Sequence, residues 1–427
     1  MQDAVKYRTD VAVIGAGPTG LTAGVRLAQL GVDHLVIDRS SEPTSTSKAA
    51  LVHAATLELF EQLGVVDKAI ASGVVMRRLA MVDRGHPLLS IEFARLKMAY
   101  PFALGLPQSM TERLLLRRLH DLGGSLWRPV VVDSLVPRGD RYLLGGTEVS
   151  DDGSPAGSIE VEARYVIGAD GAHSLVREAM GIAFEGSSYA EQFILADVGL
   201  NLTDTCTEER DDQATIHLSP HGVTVLGLLP GGTHRVVATV REGLEVPEEP
   251  SRAFVDELFG SRGVPASTAA DPLWASRFRV HHRIAETFRV GGIFLAGDAA
   301  HVHSPAAGQG MNTGIADAFD VATRLAAVLT GQADDHVLDE YDATRRAAAL
   351  EVLRFTDRMT RMALMRHQLP RTGRWLAAHT LGRSAYMQRR IATWVTGLRR
   401  SPLRTGVNDL LRLQRIDQPD EARTADA

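Results

Sequence analysis

Short apolar runs, each closed by glycines, punctuate this chain. Asp10-Val11-Ala12-Val13-Ile14 is nearly all apolar and β-branched, the pattern of a parallel strand buried on both faces. Gly15-Ala16-Gly17-Pro18-Thr19-Gly20 follows, then Leu21, Gly24, Val25 and Ala28 at helical spacing, with Gly31 closing that helix. A second apolar run, His34-Leu35-Val36-Ile37, ends at Asp38 and Arg39. Far along the chain, residues 159–167 begin in alternation, turn apolar, and reach Gly168-Ala169-Asp170-Gly171 and a short helix through Arg177. Later still, Gly292-Ile293-Phe294-Leu295-Ala296 runs into Gly297-Asp298-Ala299-Ala300-His301. A long helix follows, with Ile315, Ala318, Phe319, Ala322, Leu325 and Leu329 on its apolar face. Between these, Thr215-Ile216-His217-Leu218, Val223-Thr224-Val225-Leu226 and Arg235-Val236-Val237-Ala238 read as meander strands.

The first strand end predicts a dinucleotide site. Gly15 permits a tight turn, Gly17 lets backbone N–H groups approach a pyrophosphate, and Gly20 lets helix and strand pack closely. Pro18 and Thr19 open the helix, whose N-terminus offers partial positive charge to phosphate. Asp38 stands where it accepts from the adenosine ribose, with Arg39 beside it. At the second strand end, Asp170 is expected to order hydroxyls around a diphosphate, with Arg177 fixing it or reaching phosphate; the plain alternative is a turn capping the helix at Ser174. At the third, Asp298 is placed to accept from ribityl hydroxyls. The stretch 304–312, with Pro305, Gly308, Gly310, Met311 and Asn312, is rich in small residues, so a flat group is expected against its backbone. The helix after it would face negative charge on a reduced ring.

Composition narrows the class. At 427 residues, two or three domains are expected. A net charge of −6 argues against nucleic acid. A single cysteine, Cys206, allows no intrachain disulfide and no cysteine-based metal site, which fits a reducing cytoplasm. No signal peptide and no spanning segment are expected. His301, His303 and the His281-His282 pair lack a matching carboxylate set, so no metal is assigned. From Arg354 to Arg415 the chain carries fourteen arginines and two acids, Asp357 and Asp409. This stretch reads as helical, either a solvated cap or a face for docking to an acidic partner or a membrane surface.

On these motifs the chain resembles the class A flavoprotein aromatic monooxygenases, the para-hydroxybenzoate hydroxylase fold, in the branch acting on polyketides and phenols. The resemblance runs from about residue 10 to about residue 346. Leu106-Pro107-Gln108, Thr111-Glu112-Arg113-Leu114-Leu115 and Leu338-Asp339-Glu340-Tyr341-Asp342-Ala343-Thr344-Arg345-Arg346 add to it. It implies an α/β fold: a Rossmann-like FAD-binding domain (1–73, 100–181 and 276–346), an inserted β-sheet substrate domain (74–99 and 182–275), and a C-terminal helical region (347–416), here without the thioredoxin-like domain of many relatives. A polar tail, 417–427, is expected to be disordered.

The resemblance also implies chemistry. NADPH or NADH reduces FAD, and reduced flavin with O2 gives a C4a-hydroperoxide that hydroxylates or epoxidises an aromatic or polycyclic small molecule. No catalytic nucleophile or base is expected, because the cofactor carries the reaction. Gln108 would approach the ribityl chain and Pro305 the reactive face of the flavin. Lys48 stands where the family commonly has arginine, so the diphosphate meets a point charge in place of a fork. Phe93, Met98, Phe102, His217 and Met311 are pocket candidates. The implied protein is a cytoplasmic monomer or homodimer. Two other readings stay open: a redox-silent FAD protein that protects a reactive metabolite, and an FAD-dependent isoprenoid reductase.

Overall fold

The computed structural model describes residues 5–44, 49–83, 86–96, 98–150, 152–199, 212–240, 246–247, 250–262, 264, 274–304, 308–364, 385–397, 400–404, 407 and 410. Lys48, Pro305, Cys206, the tail 417–427 and the arginines between 366 and 383 lie outside the described residues.

The first strand, Val5–Ile14, lies at the middle of an eight-stranded sheet. It pairs in parallel with Pro155–Gly168 on one side and His34–Ile37 on the other. Ile293–Leu295 extends the first flank in parallel and Ser125–Trp127 the second. Val11, Ala12 and Val13 are fully buried because helices or other strands cover both faces. Thus the three strand ends singled out in the sequence come from adjacent, co-directional strands and open at one edge. The hairpin Val130–Arg138 and Arg141–Val149, which adds to the outer side of Pro155–Gly168, has no counterpart in the sequence reading.

The helix Pro18–Gln29 packs against Gly310–Leu329 and Gln108–Asp121. A Cβ on Gly24 would press into Val36 at 2.8 Å and Leu119 at 3.3 Å, so glycine sets how closely this helix approaches sheet and neighbour. Arg26 ties two of the helices. Its Nε donates to Thr323 Oγ1 at 3.0 Å and its guanidinium lies 4.8 Å from the Phe319 ring centroid. Burial pushes its pKa down to about 10.

A second eight-stranded sheet runs in the order His301–Val302, Trp274–Ala285, Phe184–Gly199, Thr233–Thr239, Gly222–Leu228, Gln213–Ser219, Arg78–Asp83, His86–Glu92. The three expected meander strands sit here, antiparallel to one another. One face carries Ile194, Ala196, Val198, Leu226, Val236 and Ala238, packed on Val255, Leu258 and Phe259 of the helix Arg252–Gly260. Register puts His217 level with Thr224 and Ala238, on this helix-covered face, and so away from the opposite face where a pocket residue was expected. That opposite face presents half-buried Ile216, Val225 and Val237.

The layer division differs from the expectation at one edge. Residues 276–285 were assigned to the FAD-binding layer, but the strand Trp274–Ala285 hydrogen-bonds along Phe184–Gly199 in the second sheet. His301–Val302 joins the same sheet through Arg283 and Ile284. A small third sheet, Leu51–Val52, Ala103–Gly105 and Val74–Met76, lies where the two layers meet. At the C-terminal end, His336–Leu364 and Ala385–Val395 are helical. Among the described residues no helix is long and apolar enough to cross a membrane.

Candidate cofactor site

The three glycine turns touch one another. Gly15, at φ +102, accepts no side chain: a Cβ there would overlap the Ala169 carbonyl of the second turn. Ala169 N–H in turn donates to Ile14 O at 2.8 Å. A Cβ on Gly20 would overlap the Gly15 carbonyl. Gly17 is different, since nothing lies within 4 Å of a Cβ built there. It is the N-cap of Pro18–Gln29, has no side-chain cap hydrogen bond, and is followed by Pro18 at the first helical position. The start of this helix therefore has no side-chain acceptor and has open space over Gly17, which is the arrangement that receives an anion.

Thr19 joins the first turn to the third. Its side chain occupies the space left by two glycines: a Cβ on Gly297 would lie 2.6 Å from Thr19 Oγ1, and one on Gly314 closer still. Gly314→Ala is therefore expected to destabilise the protein by about 1–3 kcal/mol through overpacking. The double variant Thr19→Ala, Gly314→Ala should regain most of that loss in urea denaturation; purely additive losses would mean that Thr19 is not the obstacle.

The acids divide between holding the frame and facing the site. Asp38 accepts from the backbone N–H groups of Ala16 and Ser40, so its carboxylate braces the first turn as well as marking the end of His34–Ile37. Arg39 is exposed beside it. Asp170 Oδ2 accepts from Val176 N at 3.1 Å, while Oδ1 is buried without a partner. Burial raises its pKa above the ordinary carboxyl value, against the hydrogen bonds that it accepts. An orphaned acceptor at the meeting point of the turns fits a hydroxyl-bearing ligand. Ser174 does cap the helix Leu175–Ala179, accepting from Arg177 N at 3.0 Å. The Arg177 side chain is turned to the Ala299 and Ala172 carbonyls, both at 3.0 Å, so it joins the second turn to the third in place of reaching phosphate. Asp298 is exposed on the turn Gly297–Ala299.

Gln108 begins the helix Gln108–Asp121, with its N–H on Ala49 O at 2.9 Å and its Nε2 on Glu112 Oε1 at 2.9 Å. Glu112 also accepts from Thr44 N at 3.0 Å, and burial raises its pKa. The two anchor both sides of the segment that carries Lys48. Asn312 is committed to the protein: Oδ1 accepts from His53 N, and Nδ2 donates to the Leu51 and Gly308 carbonyls, each at 2.8 Å. From the first turn of the helix Gly310–Leu329, its side chain braces the turn at Gly308 (φ +60).

Behind the third turn lies a buried network that sequence reasoning missed. Asp317, fully buried, accepts from Gly297 N at 3.2 Å and Arg345 Nε at 2.8 Å, and pairs with His301 Nε2 at 2.7 Å. Burial alone would raise the Asp317 pKa, but the charges and hydrogen bonds of Arg345 and His301 outweigh it and hold it below the ordinary value. Its signal lay in acids three apart, Asp317 and Asp320, on a helix whose neighbouring positions are mostly apolar, and in Arg345 within the 338–346 stretch. His301 thus has a carboxylate partner. His303 stacks on it at 6.1 Å, and burial with the neighbouring His301 pushes the His303 pKa down to about 4, so that it is neutral at ordinary pH. Among the described residues no group of three His, Cys, Asp or Glu is placed to hold a metal.

Comparison with known proteins agrees with this geometry. A family described as "FAD binding domain" matches residues 8–356. The chain is 36% identical over 360 residues to a 6-methylpretetramide 4-monooxygenase of Streptomyces rimosus, covering 84% of this chain and 62% of the relative. It is 34% identical to a pentachlorophenol 4-monooxygenase of Sphingobium chlorophenolicum, covering 82% and 64%. The chain therefore spans somewhat less than two thirds of these relatives. Among solved structures, the p-nitrophenol 4-monooxygenase of Pseudomonas putida superposes with a TM-score of 0.81 at 26% identity, covering 92% of this chain and 98% of the other.

Proposed function

Because the chain belongs to the FAD-binding family that contains aromatic and polyketide monooxygenases, we propose that it is itself an FAD-dependent monooxygenase of an aromatic or polycyclic small molecule. The observation that carries this reading is the interlocking of the three glycine turns around an uncapped helix N-terminus. The overall reaction balances as C–H + O2 + NAD(P)H + H⁺ giving C–OH + H2O + NAD(P)⁺. Bound FAD supplies the redox chemistry, and the protein binds, orients and excludes water.

The residues divide the work. N–H groups at Gly17, Thr19 and Gly20 receive the diphosphate, and Asp38 and Arg39 lie at its adenosine end. Asp170 Oδ1 and Asp298 accept from hydroxyls along the linker, with Gln108 beside them. The backbone from Gly308 through Asn312 meets the ring, with Pro305 and Lys48 assigned by the family resemblance alone. Neutral His303 adds no positive charge there, and the Gly310–Leu329 helix terminus offers its partial positive charge to a reduced ring. The substrate lies over the face of the second sheet that carries the apolar Ile216, Val225 and Val237, which suits the kind of ring substrate named for the relatives, with the Arg235–Asp197 ion pair on the same face. The redox-silent and reductase readings gain nothing from those names. A cytoplasmic monomer or homodimer remains part of the proposal. Docking to an acidic partner is confined to arginines other than Arg400 and Arg404, which bond groups of the protein itself.

The test is NADPH and NADH oxidation in air by FAD-loaded protein against phenolic polycycles, small phenols and isoprenoids, with product masses. A ligand-stimulated gain of one oxygen is expected. A gain of two hydrogens, or bound FAD with no stimulation by any ligand, would overturn the reading.

A further inference from the structure

Gln309 occupies the N-cap position of Gly310–Leu329, yet its side chain does not cap that helix. It is drawn the other way. Nε2 donates to Val395 O at 3.1 Å, and Oε1 accepts from Arg400 Nη2 at 3.2 Å. Both residues are more than nine-tenths buried. Arg400 is held in turn: Nη2 also donates to Trp394 O at 3.0 Å, and the guanidinium lies 5.1 Å from the Trp394 ring centroid. The Arg400 carbonyl accepts from Arg345 Nη1 at 2.9 Å, and Arg345 is the partner of Asp317, which holds Gly297. A closed path of bonds thus runs from the Gly297 turn through Asp317, Arg345, Arg400 and Gln309 to the turn before Gly310. It ties the Gly297 turn to Gln309.

We propose that Gln309 and Arg400 form a positioning pair through which the C-terminal segment holds the flavin-facing turn in shape and leaves its helix N-terminus uncapped. This rests on the reading that the turn meets FAD. Residues favoured at an N-cap, such as Ser, Asp or Asn, would bond the helix N–H groups themselves. A glutamine pulled aside by Arg400 withholds that acceptor, so the N–H groups stay available to a ligand. The same segment makes two further contacts. Ala55 N donates to Thr396 O at 3.3 Å, and Ala392 and Val395 pack with Ile91 of the second sheet and Phe93 just after it. Arg400 reaches both Gln309 and the Trp394 carbonyl through the two hydrogens of Nη2, with its guanidinium lying over the Trp394 ring.

Apo-protein titrated with FAD, followed by flavin fluorescence, tests the pair. Gln309→Leu and Arg400→Met are each expected to weaken FAD about tenfold, the size of a lost charge-assisted hydrogen bond. The double variant should be no weaker than the worse single, because the two act as a unit. Gln309→Glu keeps the acceptor for Arg400 but gives up the donor to Val395 O, so it should weaken FAD by about threefold, less than Gln309→Leu does. At full occupancy the midpoint potential of FAD in Gln309→Leu should move to more negative values, as a displaced helix terminus stabilises the reduced ring less. Unchanged FAD affinity in the singles, multiplying effects in the double, or an unchanged potential would overturn the proposal. Should Arg400→Met fail to fold, Gln309→Leu against Gln309→Glu decides, and equal losses refute the pair. A wild-type protein that bound no FAD would instead remove the functional reading on which the pair rests.

Discussion

Replacing Asp317 with alanine is expected to cost about 3–5 kcal/mol of stability, because Arg345 is then left charged, buried and unpaired. The Gly297 N–H loses its acceptor at the same time, so FAD binding should fall with the fold. Urea denaturation of the apo-protein measures the first effect; a loss below about 1 kcal/mol would mean the network contributes little. Asp317→Asn isolates the charge. The folded pKa of Asp317 lies below the ordinary unfolded carboxyl value of about 3.9. Its stabilisation is therefore complete above that value and is lost as pH falls through the folded pKa. Melting temperature should drop less steeply between about pH 5 and pH 2 in Asp317→Asn than in the wild type. Equal slopes would show that other carboxylates govern acid unfolding.

The three N-terminal glycines should fail in different ways when each becomes alanine. Gly20→Ala places a methyl on the Gly15 carbonyl, and Gly15→Ala forces a left-handed φ against Ala169, so both should destabilise the apo-protein. Gly17→Ala meets no protein atom, at an ordinary φ of −71. It should leave the apo melting temperature within about 2 °C of wild type. FAD affinity should nonetheless fall about a hundredfold, equivalent to about 2.7 kcal/mol, because the methyl takes the place of the diphosphate. Apo melting and FAD titration on the same samples separate the cases. Gly17→Ala protein that bound FAD as wild type does would remove the diphosphate from this turn.

What could be read along the chain was what is local. Each strand end was legible because an apolar run, a glycine turn and the start of a helix are neighbours in sequence, and parallel pairing then brought the three ends to one edge. The meander strands were legible for the same reason, since alternation is a short-range pattern. Partners far apart were not. Nothing in the spacing of Asp317, Arg345 and Arg400 announces that they share one path of bonds, because helix packing and not sequence distance joins them. Asn312 was expected against the cofactor, but its amide is filled by Leu51, His53 and Gly308, contacts that depend on how the Leu51–Val52 strand crosses the loop. His217 sits on the face away from Val225 and Val237 because register, which its own strand does not specify, decides which way a strand turns.

The placement of Val5–Ile14 bears on how the protein comes into being. One of its two parallel partners begins about 150 residues later, and that partner's own neighbour, Ile293–Leu295, lies farther still. During synthesis the first strand therefore emerges with one flank unsatisfied, and the turn that ends it has no second or third turn to lock against until most of the chain has appeared. Such long-range pairing folds slowly and leaves apolar strand edges open meanwhile. Cofactor capture is thus an event of late assembly. A cell short of FAD would be expected to hold more of the less stable empty protein, which is more open to proteolysis than the loaded form.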